Sequence, residues 1–178
     1  MTDYSHTSGS FNRPLLLALA LITLVIYVYR LDFIPPRWEE PRRCTVAFEM
    51  IERGNYAVPT VYNELYTKKP PLQNWLIALF AGFDVSRIRV LIPRAMTVFS
   101  VFAIAAILIG LARNQRRPWL AGAIFLTLGI MVQYGRSAAI DPLFVLWTTG
   151  ALATFYLGVQ RDNRWLIYVV PQLLVGLG

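Results

Sequence analysis

Residues 95–112, AMTVFSVFAIAAILIGLA, contain no charged side chain. A helix needs about 20 apolar residues to cross the hydrocarbon core of a bilayer, so this run predicts one membrane span. Four more apolar runs lie at residues 14–29, 119–134, 142–159 and from Trp165 onward. The expected fold class is therefore all-α, a polytopic transmembrane helix bundle of about four to five spans.

The composition supports a membrane protein. The 178 residues are 56% hydrophobic and only 15% charged, whereas soluble domains are about 25% charged. The net charge of +7 is attributed either to basic cytoplasmic loops or to a surface that binds anionic lipid or phosphate. No basic run with interleaved aromatic residues indicates nucleic-acid binding. A lone cysteine, Cys44, and a lone histidine, His6, argue against a disulfide and against histidine chemistry, which leaves acid–base work to the ten carboxylates.

Arginine placement predicts the orientation. Basic loops follow the second and fourth runs, with Arg113, Arg116, Arg117, Arg161 and Arg164. The positive-inside rule puts these loops in the cytoplasm, together with an N-terminal tail at residues 1–13. Residues 31–85 would then form an external loop of an integral protein of the bacterial inner (plasma) membrane. The last run has no polar flank at Gly178, so residues 14–178 are interpreted as the N-terminal part of a longer membrane domain.

The external loop is expected to carry two helices that lie on the membrane surface. Residues 44–53, CTVAFEMIER, put apolar side chains on one face and Glu49 on the wet face. Residues 68–71, KKPP, are expected to be extended because a residue before proline avoids the helical region. Residues 72–83, LQNWLIALFAGF, form the second predicted helix. Arg94, near the outer end of the second span, is interpreted as a lipid headgroup anchor.

The order of motifs in this loop resembles the first external loop of GT-C glycosyltransferases, polytopic enzymes of the protein mannosyltransferase and aminoarabinose transferase type. The matching residues are Glu39-Glu40, Arg42, Glu49-Met50-Ile51, Gly54, Lys69-Pro70-Pro71 and Trp75. The stretch from Tyr134 to Asp141 resembles the second external loop of that family, which ends in an acidic residue. The resemblance implies a glycosyltransferase that uses a polyprenyl-phosphate-linked sugar donor at the external face.

The resemblance also implies roles for the carboxylates. Glu39 aligns with the catalytic position of the family, which is usually an aspartate followed by a glutamate. Attack by an acceptor hydroxyl on an anomeric carbon needs a carboxylate base within hydrogen-bond reach. Glu39 is the first candidate for that base and Glu40 the second, while Asp141 holds the acceptor or shares the base role. Asp141 can equally serve as the cap of the fourth helix.

Cationic residues are expected to hold the donor phosphate, because the leaving lipid phosphate is an anion. The resemblance assigns this contact to Lys69, with Arg42 or Arg136 assisting. A simpler interpretation makes the lysine pair an interface anchor that reaches to headgroups. A divalent cation among the carboxylates stays open, as do the sugar and the acceptor, which can be a lipid, a protein or a glycan.

Two other functions compete. A truncated, non-catalytic membrane protein that binds polyprenyl lipid or scaffolds a complex has the same sequence features. A transporter is disfavoured because the centres of the spans carry no acidic residue, which ion coupling usually requires.

Overall fold

The computed structural model describes residues 13–177 except positions 34 and 38. The predicted N-terminal tail, including His6, lies outside the described residues apart from Arg13. The described part of the chain is mostly helical, at 67%, with little sheet. The helices are α1 (Arg13–Val28), α2 (Glu40–Arg53), α3 (Leu72–Phe80), α4 (Leu91–Leu111), α5 (Trp119–Thr127), α6 (Gly129–Tyr134), α7 (Asp141–Gln160), α8 (Arg164–Tyr168) and α9 (Val170–Leu177). The strands are β1 (Thr60–Val61) and β2 (Glu64–Leu65).

Two of the described helices, α4 and α7, are long and apolar enough to cross a membrane. They correspond to the second and fourth predicted runs. Helix α4 begins at Leu91, a few residues before the uncharged run at residues 95–112. A short 3-10 turn occupies Val85–Arg87, and the Asp84 carboxylate accepts a hydrogen bond from the Ser86 amide. The extended backbone of Ile88 ends this turn before α4 can begin.

The third and fifth predicted runs are each divided into two helices. Leu128 separates α5 from α6 with an extended backbone, φ −59° and ψ 125°. Gly129 follows, and glycine has a low helix propensity. Val169 separates α8 from α9, two residues before Pro171, which lacks the amide hydrogen that a continuous helix uses. The remaining helices are shorter than a typical membrane span.

Helix α2 begins at Glu40, earlier than the predicted start at Cys44. Pro41 lies in its first turn, where a missing amide hydrogen costs no helical bond, and left-handed Gly54 terminates it. The side of α2 that was predicted to be wet is partly buried. Glu49 is buried and accepts hydrogen bonds from the Thr60 hydroxyl, at 2.5 Å, and from the Asn63 amide, so that prediction was wrong.

The segment between α2 and α3 contains a two-stranded antiparallel hairpin. Thr60 pairs with Leu65 and Val61 with Glu64. The two turn residues, Tyr62 and Asn63, both have positive φ. This is the conformation of the two-residue hairpin turn whose backbone twist matches that of the flanking strands. The hairpin lies between Gly54, which ends α2, and the KKPP stretch. It brings Tyr66, which directly follows β2, into contact with Val46 and Met50 of α2.

Helix α4 packs against helices from several parts of the chain. It packs against both α5 and α7, and its Val98 and Val101 form a buried cluster with Tyr27 of α1. The Tyr27 hydroxyl donates to the Leu126 carbonyl of α5 at 3.0 Å. On another part of α4, Met96 packs with Ala47 of α2 and with α3. These contacts bring the start of α2 beside the segment that joins α6 to α7.

Candidate functional site

An open cavity of about 600 Å³ lies where the start of α2, helix α6 and the segment before α7 meet. Five of the six residues singled out from the sequence line it. They are Glu39, Glu40, Lys69, Arg136 and Asp141. The sixth, Arg42, is outside the lining but donates to Glu39. The fold thus gathers residues that are as far apart in sequence as positions 39 and 141.

Glu39 is the exposed carboxylate of the cavity. It occupies the position just before α2, and 51% of its side chain is accessible. One oxygen, Oε1, accepts from Arg42 Nη1 at 3.1 Å, and Oε2 accepts from Arg43 Nη2 at 2.7 Å. Each carboxylate oxygen can accept two hydrogen bonds, so Glu39 keeps acceptor capacity that faces solvent.

Glu40 lies in the opposite environment. Its side chain is only 4% accessible and forms a two-pronged ion pair with Arg94 of α4, which is 1% accessible. The distances are 3.1 Å from Arg94 Nε to Oε1 and 2.6 Å from Nη2 to Oε2. The Ala138 amide donates to Oε1 at 2.6 Å and the Arg37 amide to Oε2 at 2.8 Å. Four donors therefore occupy the four acceptor positions of the carboxylate.

These donors also set the charge state of Glu40. Burial raises the pKa of its carboxyl, but hydrogen bonds from Arg94, Ala138 and Arg37 outweigh burial and lower the pKa below its ordinary value. Glu40 is thus held as a buried anion whose function in this arrangement is to join three segments of the chain.

Arg94 was expected to anchor in lipid headgroups, and that interpretation was wrong. Besides Glu40, it binds the backbone of the segment that follows α1, through the Leu31 carbonyl at 2.7 Å and the Pro35 carbonyl at 3.2 Å. An arginine at the end of an apolar run has the same local sequence pattern in either role. The partner lies 54 positions away, so no local signal reveals the pair.

Lys69 and Asp141 face each other across the cavity. Their closest atoms, Nζ and Oδ1, are 3.9 Å apart, and both side chains are largely exposed. Such a loose, solvated pair contributes little to stability, about 0–1 kcal/mol. Asp141 is the first residue of α7 and its side chain makes no capping hydrogen bond. Both charges are therefore available to a ligand.

The cavity has an excess of positive charge. Its cationic residues are Arg37, Arg43, Lys69, Arg94 and Arg136, and its carboxylates are Glu39, Glu40 and Asp141. Five cations against three anions leave two positive charges. Arg136 donates from Nη2 to the Tyr29 carbonyl at 2.6 Å, while its buried Nε has no hydrogen-bond partner among the described residues. The arrangement favours an anionic ligand.

Arg37, Arg43 and Arg94 were not proposed from the sequence as site residues. The only signal for the first two was their place in the charged stretch PPRWEEPRR, residues 35–43. Among the described residues, no group of three or more histidine, cysteine, aspartate or glutamate side chains is placed to hold a metal ion.

Known membrane glycosyltransferases are similar to this chain in sequence. Residues 68–178 match the family described as dolichyl-phosphate-mannose-protein mannosyltransferase. Proteins named undecaprenyl phosphate-alpha-4-amino-4-deoxy-L-arabinose arabinosyl transferase are similar over most of the chain. The one from Serratia proteamaculans (strain 568) is 30% identical over 96% of this chain and 31% of its own length. The one from Enterobacter sp. (strain 638) is 28% identical over 88% of this chain and 28% of its own length.

The chain spans about a third of the length of the curated relatives it matches. No solved structure shows significant similarity to it. The family match covers more than half of the chain, including Lys69, Arg136 and Asp141 of the cavity. The chain therefore belongs to the dolichyl-phosphate-mannose-protein mannosyltransferase family of membrane glycosyltransferases.

Proposed function

We propose that this chain forms part of the active site of a glycosyltransferase that moves a sugar from a polyprenyl-phosphate donor to a hydroxyl group of an acceptor. The observation that carries the proposal is the shared cavity, where an exposed carboxylate, Glu39, lies beside an excess of positive charge. General base chemistry and an anionic leaving group require this combination. The relatives are named for an undecaprenyl-phosphate-linked sugar, which fits the same donor class.

Glu39 acts as the general base. It accepts the proton of the acceptor hydroxyl as the acceptor oxygen forms a bond to the anomeric carbon of the sugar. The bond between that carbon and the phosphate oxygen breaks, and its electron pair leaves with the lipid phosphate. Glu40 is excluded from this role in the proposal because four donors occupy its carboxylate, which is buried.

The positive charge of the cavity stabilises the leaving group. A sugar phosphodiester carries one negative charge, whereas the lipid phosphate monoester that leaves carries up to two. The two excess positive charges of the cavity wall equal in number the negative charges of the leaving lipid phosphate. The electrostatic stabilisation of the phosphate therefore increases as the bond to the sugar breaks. The proposal assigns the phosphate contact to Lys69, Arg136 and Arg37, which line the cavity, whereas Arg42 is outside the lining.

Asp141 completes the site as a second exposed carboxylate. Its distance of 3.9 Å from Lys69 is too long for a hydrogen bond. The Asp141 carboxylate can therefore accept a hydrogen bond from a sugar or acceptor hydroxyl while Lys69 contacts the phosphate.

The membrane arrangement is part of the proposal. Helices α1, α4, α5–α6, α7 and α8–α9 are assigned as successive spans of an N-terminal transmembrane unit at residues 14–178. The tail at 1–13 is cytoplasmic, and residues 31–85 face the external side of a bacterial inner membrane. The apolar character of α4 and α7 supports two of these spans directly.

The test uses the natural full-length protein in liposomes that contain a panel of polyprenyl-phosphate-linked, isotopically labelled sugars. Glu39→Gln is expected to lower kcat by about 10²- to 10⁴-fold, the usual contribution of a general base. Asp141→Asn is expected to lower it less, and Lys69→Gln to raise the donor KM. Glu52→Gln, an exposed glutamate of the same helix, is the matched control and should keep the wild-type rate.

Wild-type transfer by the Glu39→Gln variant would remove Glu39 from the base role. Donor binding without transfer or sugar release by the wild-type protein, across the whole panel, would overturn the enzymatic proposal. That second result would favour a non-catalytic lipid-binding protein.

A further inference from the structure

Arg43 is the buried contact of Glu39. We propose that Arg43, held in place by Tyr66 of the hairpin segment, is the positioning residue that fixes the Glu39 carboxylate in the cavity. The inference rests on the proposed function, because it describes how the base of that reaction is oriented. It assigns a role to the hairpin, which otherwise contributes no residue to the cavity lining.

The two arginines that bind Glu39 differ in burial. Arg42 is 42% accessible and reaches Oε1 at 3.1 Å from the outer side. Arg43 is 1% accessible, lines the cavity, and reaches Oε2 at 2.7 Å. An exposed arginine can leave its partner at little cost, whereas a buried one keeps a defined geometry because its rotamers are restricted by packing. Arg43 is therefore the contact that can determine where Oε2 lies.

Tyr66 determines the position of Arg43. Its hydroxyl oxygen accepts a hydrogen bond from Arg43 Nη1 at 3.1 Å, and the guanidinium carbon lies 5.8 Å from the centre of the ring. The tyrosine is itself buried against Val46 and Met50 of α2. Its amide donates to the Pro59 carbonyl at 2.9 Å, which ties it to the start of the hairpin.

The result is a chain of contacts from the hairpin through a planar guanidinium to the base. One edge of the guanidinium binds Tyr66 through Nη1 and another binds Glu39 through Nη2. Glutamate has three rotatable side-chain bonds, so an unsupported carboxylate at the exposed start of α2 would sample many positions. A general base must lie within hydrogen-bond reach of the proton it removes, and small misplacements cost large factors in rate.

The experiment is a double-mutant cycle on the full-length protein. Tyr66→Phe removes only the hydroxyl group and keeps the packed ring. It is expected to lower kcat by about tenfold with the donor KM unchanged within about twofold, since positioning affects the transition state and not donor binding. Arg43→Lys keeps the charge but cannot bind both partners in the same way, so a larger loss in kcat is expected.

Non-additivity is the decisive readout. Because Tyr66 acts through Arg43, the double variant should lose no more activity than Arg43→Lys alone. Tyr62→Phe, which alters an exposed tyrosine in the turn of the same hairpin, is the control and should match the wild-type protein. A wild-type kcat in Tyr66→Phe, or losses that multiply fully in the double variant, would overturn the inference.

The same four proteins are unfolded in detergent to separate this inference from the proposed function. Coupled shifts in the unfolding midpoint are expected for Tyr66→Phe and Arg43→Lys whether or not sugar is transferred. Additive shifts would show that the Tyr66–Arg43 contact does not exist in solution and would overturn the inference. A wild-type protein that is inactive with every donor would instead overturn the proposed function.

Discussion

Replacement of Glu40 by glutamine tests the central structural claim, that adjacent glutamates have separate tasks. Glu40 is an anion that accepts two hydrogen bonds from the single guanidinium group of Arg94 and one each from the amides of Ala138 and Arg37. A glutamine keeps one acceptor oxygen but turns an amide NH2 group toward these donors. Arg94 then loses the carboxylate with which it forms its buried ion pair.

The expected loss of stability is large. Removal of one partner from a buried ion pair costs about 3–5 kcal/mol. The neighbouring change, Glu39→Gln, affects a side chain that is 51% accessible. Its buried partner Arg43 keeps the hydrogen bond to Tyr66 and can still donate to the glutamine oxygen, so the expected cost is close to the roughly 0–1 kcal/mol of exposed pairs. Two chemically identical substitutions at adjacent positions are thus expected to differ by about 2–5 kcal/mol in the free energy of unfolding.

The assay is equilibrium unfolding in mixed micelles at neutral pH, followed by tryptophan fluorescence. Arg94→Gln should be as destabilising as Glu40→Gln, and the double variant should recover part of the loss because neither charge is then left alone. Equal stabilities of Glu39→Gln and Glu40→Gln, or fully additive losses in the double variant, would refute the reasoning.

Acid titration gives an independent measurement. The donors around Glu40 lower its pKa in the folded protein. A lowered pKa means that its contribution to stability is fully present above the unfolded value of about 4.3 and is lost as the pH falls below it. The wild-type protein should therefore lose stability on acidification below about pH 4, and the Glu40→Gln variant should show a weaker dependence in that range.

Three further outcomes are expected. Burial raises the pKa of the Cys44 thiol to about 11 from 9.0, so a maleimide at pH 8 should modify it about 100-fold more slowly than in the denatured chain; equal rates would contradict this. Gln73 is buried, and neither polar atom of its amide has a hydrogen-bond partner among the described residues, so Gln73→Met should raise the free energy of unfolding by about 1–3 kcal/mol, whereas a lower free energy of unfolding would mean that the amide is satisfied. A methyl group at Gly135 would lie 2.6 Å from the Tyr27 ring, so Gly135→Ala should destabilise by about 1–3 kcal/mol, unlike Gly129→Ala, where the space is open.

The long apolar runs of the sequence were sufficient to predict helices α4 and α7, because a helix satisfies all of its own backbone hydrogen bonds in lipid. The break at Leu128 was not predicted in this way, because a single glycine such as Gly129 inside a long apolar run does not by itself end a helix. The break becomes intelligible from the cavity, which is lined by Gly129 and Val132 of α6. Irregular backbone at membrane depth is tolerated where it borders such a space.

The candidate site was partly predictable from motif order. Glu39, Lys69 and Asp141 stand out because the order of the motifs that contain them resembles the external loops of GT-C glycosyltransferases, and the structure places them around one cavity. The distinction between Glu39 and Glu40 could not be made from the sequence. It depends on Arg94 and on the Ala138 amide, which both donate to Glu40. These groups come close to Glu40 only when the helices pack, so the residues around Glu40 in the sequence give no sign of them.

The connections of Glu40 have a consequence for biogenesis. Its side-chain partner is synthesised 54 residues later and its amide donor on Ala138 98 residues later. At about 5–20 residues per second, the ribosome needs roughly 5–20 s to produce that amide after Glu40. At least until Arg94 has been made, the carboxylate has to remain hydrated, because burial of a lone charge is costly. The start of α2 therefore docks only after α4 and the segment before α7 have been made, so the cavity is among the last parts of this unit to assemble.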